Sequence, residues 1–385
     1  MSLVIACSAE GVKRSEDSSQ NNSQFKSQYK SIEQLGSVLF FDNNLSKNRT
    51  QSCATCHSPQ HAFIDPRHNA SGRAVSLGDD GTSLRDRNTP TLSYSVFTPD
   101  FMLDQEGRYV GGQFFDGRAK DLADQAIQPI LSTSEMGMPS KASIVERIKE
   151  NEAYITGFKQ LFGNSVLDNT DDAIQALGES VAAFEKTDEF APFDSKYDRH
   201  LRGEYEMTEA EELGMTLFFS QQFTNCNICH QLKPAPAQAG ETFANYQYHN
   251  IGVPINTKVR KVNGSAPGYI DQGLLDNEFV HDEQQKGKFK VLTLRNVAVT
   301  APYMHNGVFE ELRTVVLFYN KYNSKSKKRQ INPETSEAWR LPEVSENISL
   351  KDLETGPALD DRRINALIAF LKTLTDKRYE HLLED

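Results

Sequence analysis

Cys53-Ala54-Thr55-Cys56-His57 and Cys226-Asn227-Ile228-Cys229-His230 are the two stretches on which the reading of this chain turns. Each is C-x-x-C-H, the attachment signature of a c-type haem. Two thiols three residues apart on one helical turn reach the two vinyl groups of one porphyrin. The histidine that follows then faces the iron. A zinc ribbon would place its second C-x-x-C roughly 15–20 residues after the first, whereas more than 160 residues intervene here. A dithiol redox site needs one motif and no histidine rule, and both motifs here carry the histidine. Against those two alternatives, the reading is two covalently attached haems. Cys53, Cys56, Cys226 and Cys229 are the attachment points, and His57 and His230 the iron ligands.

Working outward, the same plan occurs twice. Leu35-Gly36-Ser37-Val38-Leu39-Phe40-Phe41 precedes the first motif and Leu213-Gly214-Met215-Thr216-Leu217-Phe218-Phe219 the second. Both read as short amphipathic helices. Ala182-Ala183-Phe184-Glu185-Lys186-Thr187 closes the first copy, and Ile368-Ala369-Phe370-Leu371-Lys372-Thr373 closes the second. Helix, haem motif, loops, helix is the plan of a small cytochrome c domain. Strand signals are few, so the expected fold is mainly α. It has two cytochrome c-like domains with long loops, at residues 31–195 and 196–385, and the boundary lies in the polar stretch Asp194–Glu206.

The 385 residues, 38% hydrophobic and 25% charged, suffice for two ordinary domains. No run of 18 apolar residues occurs. A net charge of −11 disfavours nucleic acid as a partner. Val4-Ile5-Ala6-Cys7 reads as a bacterial lipobox, in which the cysteine is lipidated, with an incidental cysteine as the alternative. Residues 1–30, rich in Ser, Asn, Gln and Lys, then form a lipoprotein tether. The expected location is periplasmic, anchored through Cys7.

Further motifs accompany the two haem sites. They are Arg87-Asn88-Thr89-Pro90-Thr91-Leu92, Phe114-Phe115-Asp116-Gly117-Arg118-Ala119, Gln125-Ala126, Glu135-Met136 and Leu294-Arg295-Asn296, the last leading to Pro302-Tyr303-Met304-His305-Asn306-Gly307. In this order the chain resembles the bacterial di-haem cytochrome c peroxidase family, which includes the MauG-like enzymes. The likeness covers about residues 31 to 376.

The resemblance implies that the N-terminal haem is peroxidatic. Glu135 would move the proton during O–O cleavage, with Gln125 as pocket amide and Pro129 in the pocket wall. The C-terminal haem would store electrons. Counting on from His305, the place of the family's methionine ligand is taken by Tyr319, as in the MauG-like branch. Met304 is the alternative ligand. A phenolate favours ferric iron, whereas a thioether raises the potential. A calcium ion between the haems would take the Asn88 side chain and the Thr300 and Pro302 carbonyls. Phe115 stands where the family commonly carries a tryptophan between the haems, and the single Trp339 lies elsewhere. His61 and His68 are the loop histidines available for gating the open haem, while Ser76–Gly81 looks like the ungated MauG-like branch. His249 and His305 read as structural or haem-edge residues.

Three functions follow from these residues. The first is a peroxidase that reduces hydrogen peroxide to water with electrons from a small cytochrome or cupredoxin. The second is a MauG-like oxidase that modifies Trp or Tyr of a partner protein. The third is a di-haem electron carrier without catalysis, which would need neither Glu135 nor Gln125. A homodimer is the remaining partner expectation.

Overall fold

The computed structural model describes residues 29–383, so Cys7 and most of the expected tether lie outside the described residues. Its first half contains helices α1 (Ile32–Phe40), α2 (Cys53–Cys56), α3 (Leu122–Leu131), α4 (Lys141–Lys149), α5 (Glu152–Phe162) and α6 (Thr170–Glu185). The second contains α7 (Lys196–Leu201), α8 (Glu209–Phe218), α9 (Cys226–Cys229), α10 (Thr257–Arg260), α11 (Leu312–Asn320), α12 (Leu350–Leu353) and α13 (Asp361–Lys372). Strands β1 (Met102–Leu103), β2 (Tyr109–Val110), β3 (Tyr248–His249), β4 (Phe289–Lys290), β5 (Ile331–Asn332) and β6 (Glu337–Ala338) pair as antiparallel couples, β1 with β2, β3 with β4 and β5 with β6. The fold is mainly α with long loops, as the repeat pattern suggests.

Each half is organised by one helix crossing. Ser31 caps α1, and Leu35, Leu39 and Phe40 turn one apolar face onto α6. Thr208 and Glu211 form a capping box at the start of α8, which buries Gly214, Leu217 and Phe218 against α13. The first core runs from Tyr29 to Phe190 and the second from Tyr197 to Leu374. The polar stretch around Asp194–Glu206 is ordered as α7, which buries Tyr197 in the second core.

The two crossings share a device. A Cβ added at Gly36 would lie 1.8 Å from the Ser180 carbonyl oxygen, and one at Gly214 would lie 1.9 Å from that of Ala366. Backbone meets backbone at these points, so the glycines set the helix separation.

The halves are also locked together. The Arg295 guanidinium, fully buried, forks onto Asp198 and sits among the rings of Tyr94, Phe193, Tyr197 and Phe243. Tyr94 of the first half donates to Asp376 of the second, which also accepts from Asn296. The Gly111 amide donates to Tyr246, and that of Lys290 donates to Phe115.

Gly→Ala in an exposed helix normally gains about 1 kcal/mol. Here Gly36→Ala and Gly214→Ala should instead destabilise by about 1–3 kcal/mol through overpacking. Thermal unfolding of each variant reads this as a lowered Tm. An unchanged or raised Tm would show that the crossings can open without cost.

Candidate functional site

His57 and His230 are built alike. His57 Nδ1 lies 3.0 Å from the Phe63 carbonyl oxygen, and His230 Nδ1 lies 3.1 Å from that of Phe243. A carbonyl only accepts, so Nδ1 carries the proton and each Nε2 keeps its lone pair. Burial holds both imidazoles neutral, below the usual range for His57 and down to about 4 for His230. Both accepting phenylalanines have left-handed backbones, φ +55° and +57°. That conformation costs a bulky residue about 1–3 kcal/mol and persists only where packing enforces it. Packing does so here. The Phe63 ring stacks on Phe190 at 4.1 Å, and Phe243 packs among Tyr197, Phe218 and Phe370.

His57 lines a cavity of about 490 Å³ together with Cys53, Cys56, Gln125, Pro129 and Glu135. Gln125 and Pro129 come from α3, and Glu135 from the loop that follows it. Arg85 donates to Glu135 Oε2 at 3.0 Å and to Ser132 Oγ at 2.7 Å. Sequence reasoning missed Arg85, which lies in the charge-dense Arg85-Asp86-Arg87 and looks like a solvated run. Arg87 is likewise spent internally. Its fork meets Asp271 at 2.6 and 2.7 Å and holds that carboxyl well below the usual range. His61 and His68 do not line this cavity. His61 Nδ1 pairs with Ser58 Oγ at 3.0 Å.

His230 lines a second cavity, of about 330 Å³, with Cys226, Cys229, His249, Met304, His305 and Tyr319 among its walls. Tyr319 comes from α11, and its hydroxyl makes no hydrogen bond among the described residues. Burial pushes that phenol well above its ordinary range. Such a group gives up its proton only to a cation placed against it. Met304 lines the same cavity from a left-handed position, φ +72°. His305 stacks on Phe289 at 3.6 Å. Trp339 packs away from both sites, against Phe309 and Phe318.

A thin partition separates the two cavities. Asn88, Thr89, Pro90, Thr91, Phe115 and Lys290 line both. The Phe115 ring lies 6.4 Å from that of His305. Lys290 donates to the Gly112 carbonyl, and burial pushes its ammonium down to about 7. Beside the partition a pocket of about 10 Å³ is lined by Asn88, Thr300 and Pro302 together. Asn88 Nδ2 donates to the Ala74 carbonyl, and its Oδ1 makes no hydrogen bond among the described residues. The Thr300 and Pro302 carbonyls accept none of the backbone hydrogen bonds of their loop. The space suits one small ion or water.

These residues fit two haems. Each cavity offers an imidazole Nε2 with no hydrogen bond among the described residues and two thiols, of which Cys56 accepts from Arg67 and Cys229 lies 3.6 Å from His249 Nε2. Among the described residues no cluster of three or more His, Cys, Asp or Glu is arranged to hold a metal ion on its own. The thiols of Cys53, Cys56 and Cys229 are pushed up to about 12 by their apolar surroundings, which is unlike a reactive dithiol.

A family model described as di-haem cytochrome c peroxidase matches residues 30–206. The methylamine utilization protein MauG of Paracoccus denitrificans (strain Pd 1222) is 53% identical over 351 residues, covering 91% of this chain and 90% of that protein. Cytochrome c551 peroxidase of Nitrosomonas europaea is 31% identical over 276 residues, covering 71% of this chain and 68% of that protein. The solved diheme peroxidase BthA from Burkholderia thailandensis E264 superposes with a TM-score of 0.80 at 32% identity, covering 92% of this chain and 88% of that one.

Proposed function

The chain belongs to the di-haem cytochrome c peroxidase family, whose members are oxidoreductases acting with peroxide and carrying two c-type haems; on that premise we propose that hydrogen peroxide is cleaved in the N-terminal cavity with Glu135 as proton carrier. The observation that carries this is the meeting of His57, Glu135 and Gln125 around one cavity. When bound, each haem would supply an iron centre that exchanges electrons, and the one in this cavity would react with peroxide. The chain's own groups do the rest. The thiols of Cys53 and Cys56 would hold one haem as thioethers and those of Cys226 and Cys229 the other, one in each half of the chain, divided near residues 195 and 196.

Glu135 takes a proton from one peroxide oxygen and returns it to the other, so the O–O bond breaks with water as leaving group. Arg85, bonded to Oε2, fixes the carboxylate's direction. Gln125 offers an amide to the same peroxide. With two electrons and two protons in all, peroxide becomes two waters.

Tyr319 favours one reading of where those electrons originate. Its unpartnered phenol, aimed into the C-terminal cavity with His230, suits a ferric centre better than a reduced electron store. That supports a MauG-like oxidation of a partner protein's Trp or Tyr over electron supply by a small cytochrome or cupredoxin. Met304 would then be a wall residue of that cavity and not a ligand. Phe115, which lines both cavities, oxidises far less easily than tryptophan, so with haems bound the partition would serve as a tunnelling medium and not as a radical relay. Asn88, Thr300 and Pro302 would hold a calcium ion that ties the halves. Export to the periplasm with a lipid anchor at Cys7 completes the proposal, resting on the Val4–Cys7 stretch.

Glu135→Gln should slow the optical change that follows peroxide addition by about 10²–10⁴-fold. An unchanged rate in stopped-flow absorbance would remove Glu135 from its role. Calcium in hundredfold excess over its Kd should stabilise the holoenzyme by about 2.7 kcal/mol. Chelation should lower the Tm of the parent and leave that of Asn88→Ala unmoved. A Tm of the parent indifferent to chelator would place no calcium at this pocket.

A further inference from the structure

We propose that Glu185 is a redox-linked proton-binding site of the N-terminal cavity, taking up one proton for each electron that enters there. The proposal rests on the reading of that cavity as a haem site. Glu185 ends α6, lines the His57 cavity and is only 2% exposed. Its carboxyl makes no hydrogen bond among the described residues, and Oε2 is wholly buried. An unpartnered buried carboxyl is costly, so the rest of the fold gives no reason for it.

The internal repeat sharpens the point. Aligning Ala182-Ala183-Phe184-Glu185-Lys186-Thr187 with Ile368-Ala369-Phe370-Leu371-Lys372-Thr373 sets Glu185 against Leu371. Leu371 lines the His230 cavity as Glu185 lines the His57 cavity. The preceding phenylalanines play matching parts, Phe184 packing on Phe40 and Phe370 on Phe218. One scaffold position therefore faces a haem cavity in both copies. It is apolar in the electron-transfer copy and ionisable in the peroxidatic copy.

Burial alone pushes the Glu185 carboxyl up to about 8, within reach of neutral pH. The titratable group facing it is Cys53 of α2. Helices α1, α3 and α4, packed on α6, bring no charged side chain to bear on it. Once Cys53 is a thioether, the charge that Glu185 feels is that of the cofactor. An added electron makes the cavity more negative and so raises the affinity of the carboxylate for a proton. Between the carboxyl's ionisation in the oxidised and the reduced protein, an electron from the donor and a proton from solvent arrive together. The O–H bond of the carboxylic acid is the bond that forms. Within that window the potential falls as pH rises.

The test is a spectroelectrochemical titration of the holoenzyme across the pH range bracketing about 8. The N-terminal potential should fall with rising pH in the parent protein. It should be flat in Glu185→Gln and in Glu185→Leu, the latter borrowing the residue of position 371, while the C-terminal potential keeps the parent's profile. The same slope persisting in both variants, or no slope in the parent, overturns the assignment. Peroxide reactivity of the parent is read on the same sample. A missing slope with intact peroxide reaction overturns the Glu185 assignment alone. A Glu185-dependent slope without peroxide reaction overturns the functional reading alone.

Discussion

One hydrogen bond, made twice, governs both sites: an imidazole Nδ1–H given to the carbonyl of a buried phenylalanine. It fixes the tautomer and leaves Nε2 bare toward the cavity. The carbonyl is aimed by a left-handed backbone at Phe63 and at Phe243. The rings of those residues are held by the aromatic packing of the two cores. Core and site therefore share residues. The glycines that let α1 meet α6 and α8 meet α13 also set the seat on which each phenylalanine, and through it each histidine, is placed.

From this common base the halves diverge by single side chains at the cavity walls. The first gathers Glu135, Gln125 and Glu185, two carboxyl groups and an amide. The second gathers Tyr319, Met304 and Leu371, with His249 and Asp352 paired at its wall. The partition of Asn88–Thr91, Phe115 and Lys290 belongs to both. Tyr94 and Phe193 of the first half, packed around Arg295 of the second, and the Tyr94–Asp376 bond keep the halves in fixed register. The Arg295–Asp198 pair within the second half is buried, and stripping such a pair of one partner costs about 3–5 kcal/mol.

What the sequence made legible is what local periodicity and spacing encode. The repeated L-G-x-x-L-F-F helices announce themselves by an apolar face, and the haem motifs by their thiols. Glu135, Gln125, Asn88, Thr300, Pro302 and Tyr319 were reachable through a family resemblance carried by short motifs. The structure gathers them at three cavities. The accepting phenylalanines were not legible, since they lie 6 residues beyond one histidine and 13 beyond the other. No fixed spacing marks a carbonyl. Arg85 looked like part of a solvated charge run, and Glu185 like an ordinary helix-end acid. Their meaning depends on long-range packing, 50 residues apart for Arg85 and Glu135. The stretch around Asp194–Glu206 read only as a polar boundary, yet it carries α7 because Tyr197 finds a core to fill.

The account stands or falls on an N-terminal site that meets peroxide without prior reduction, since neither His61 nor His68 lines its cavity. The direct test is to add one equivalent of hydrogen peroxide to the fully oxidised holoenzyme and record the absorption spectrum within milliseconds. The account predicts an immediate spectral change in the oxidised protein. A spectrum that stays unchanged until one haem has been reduced would contradict it.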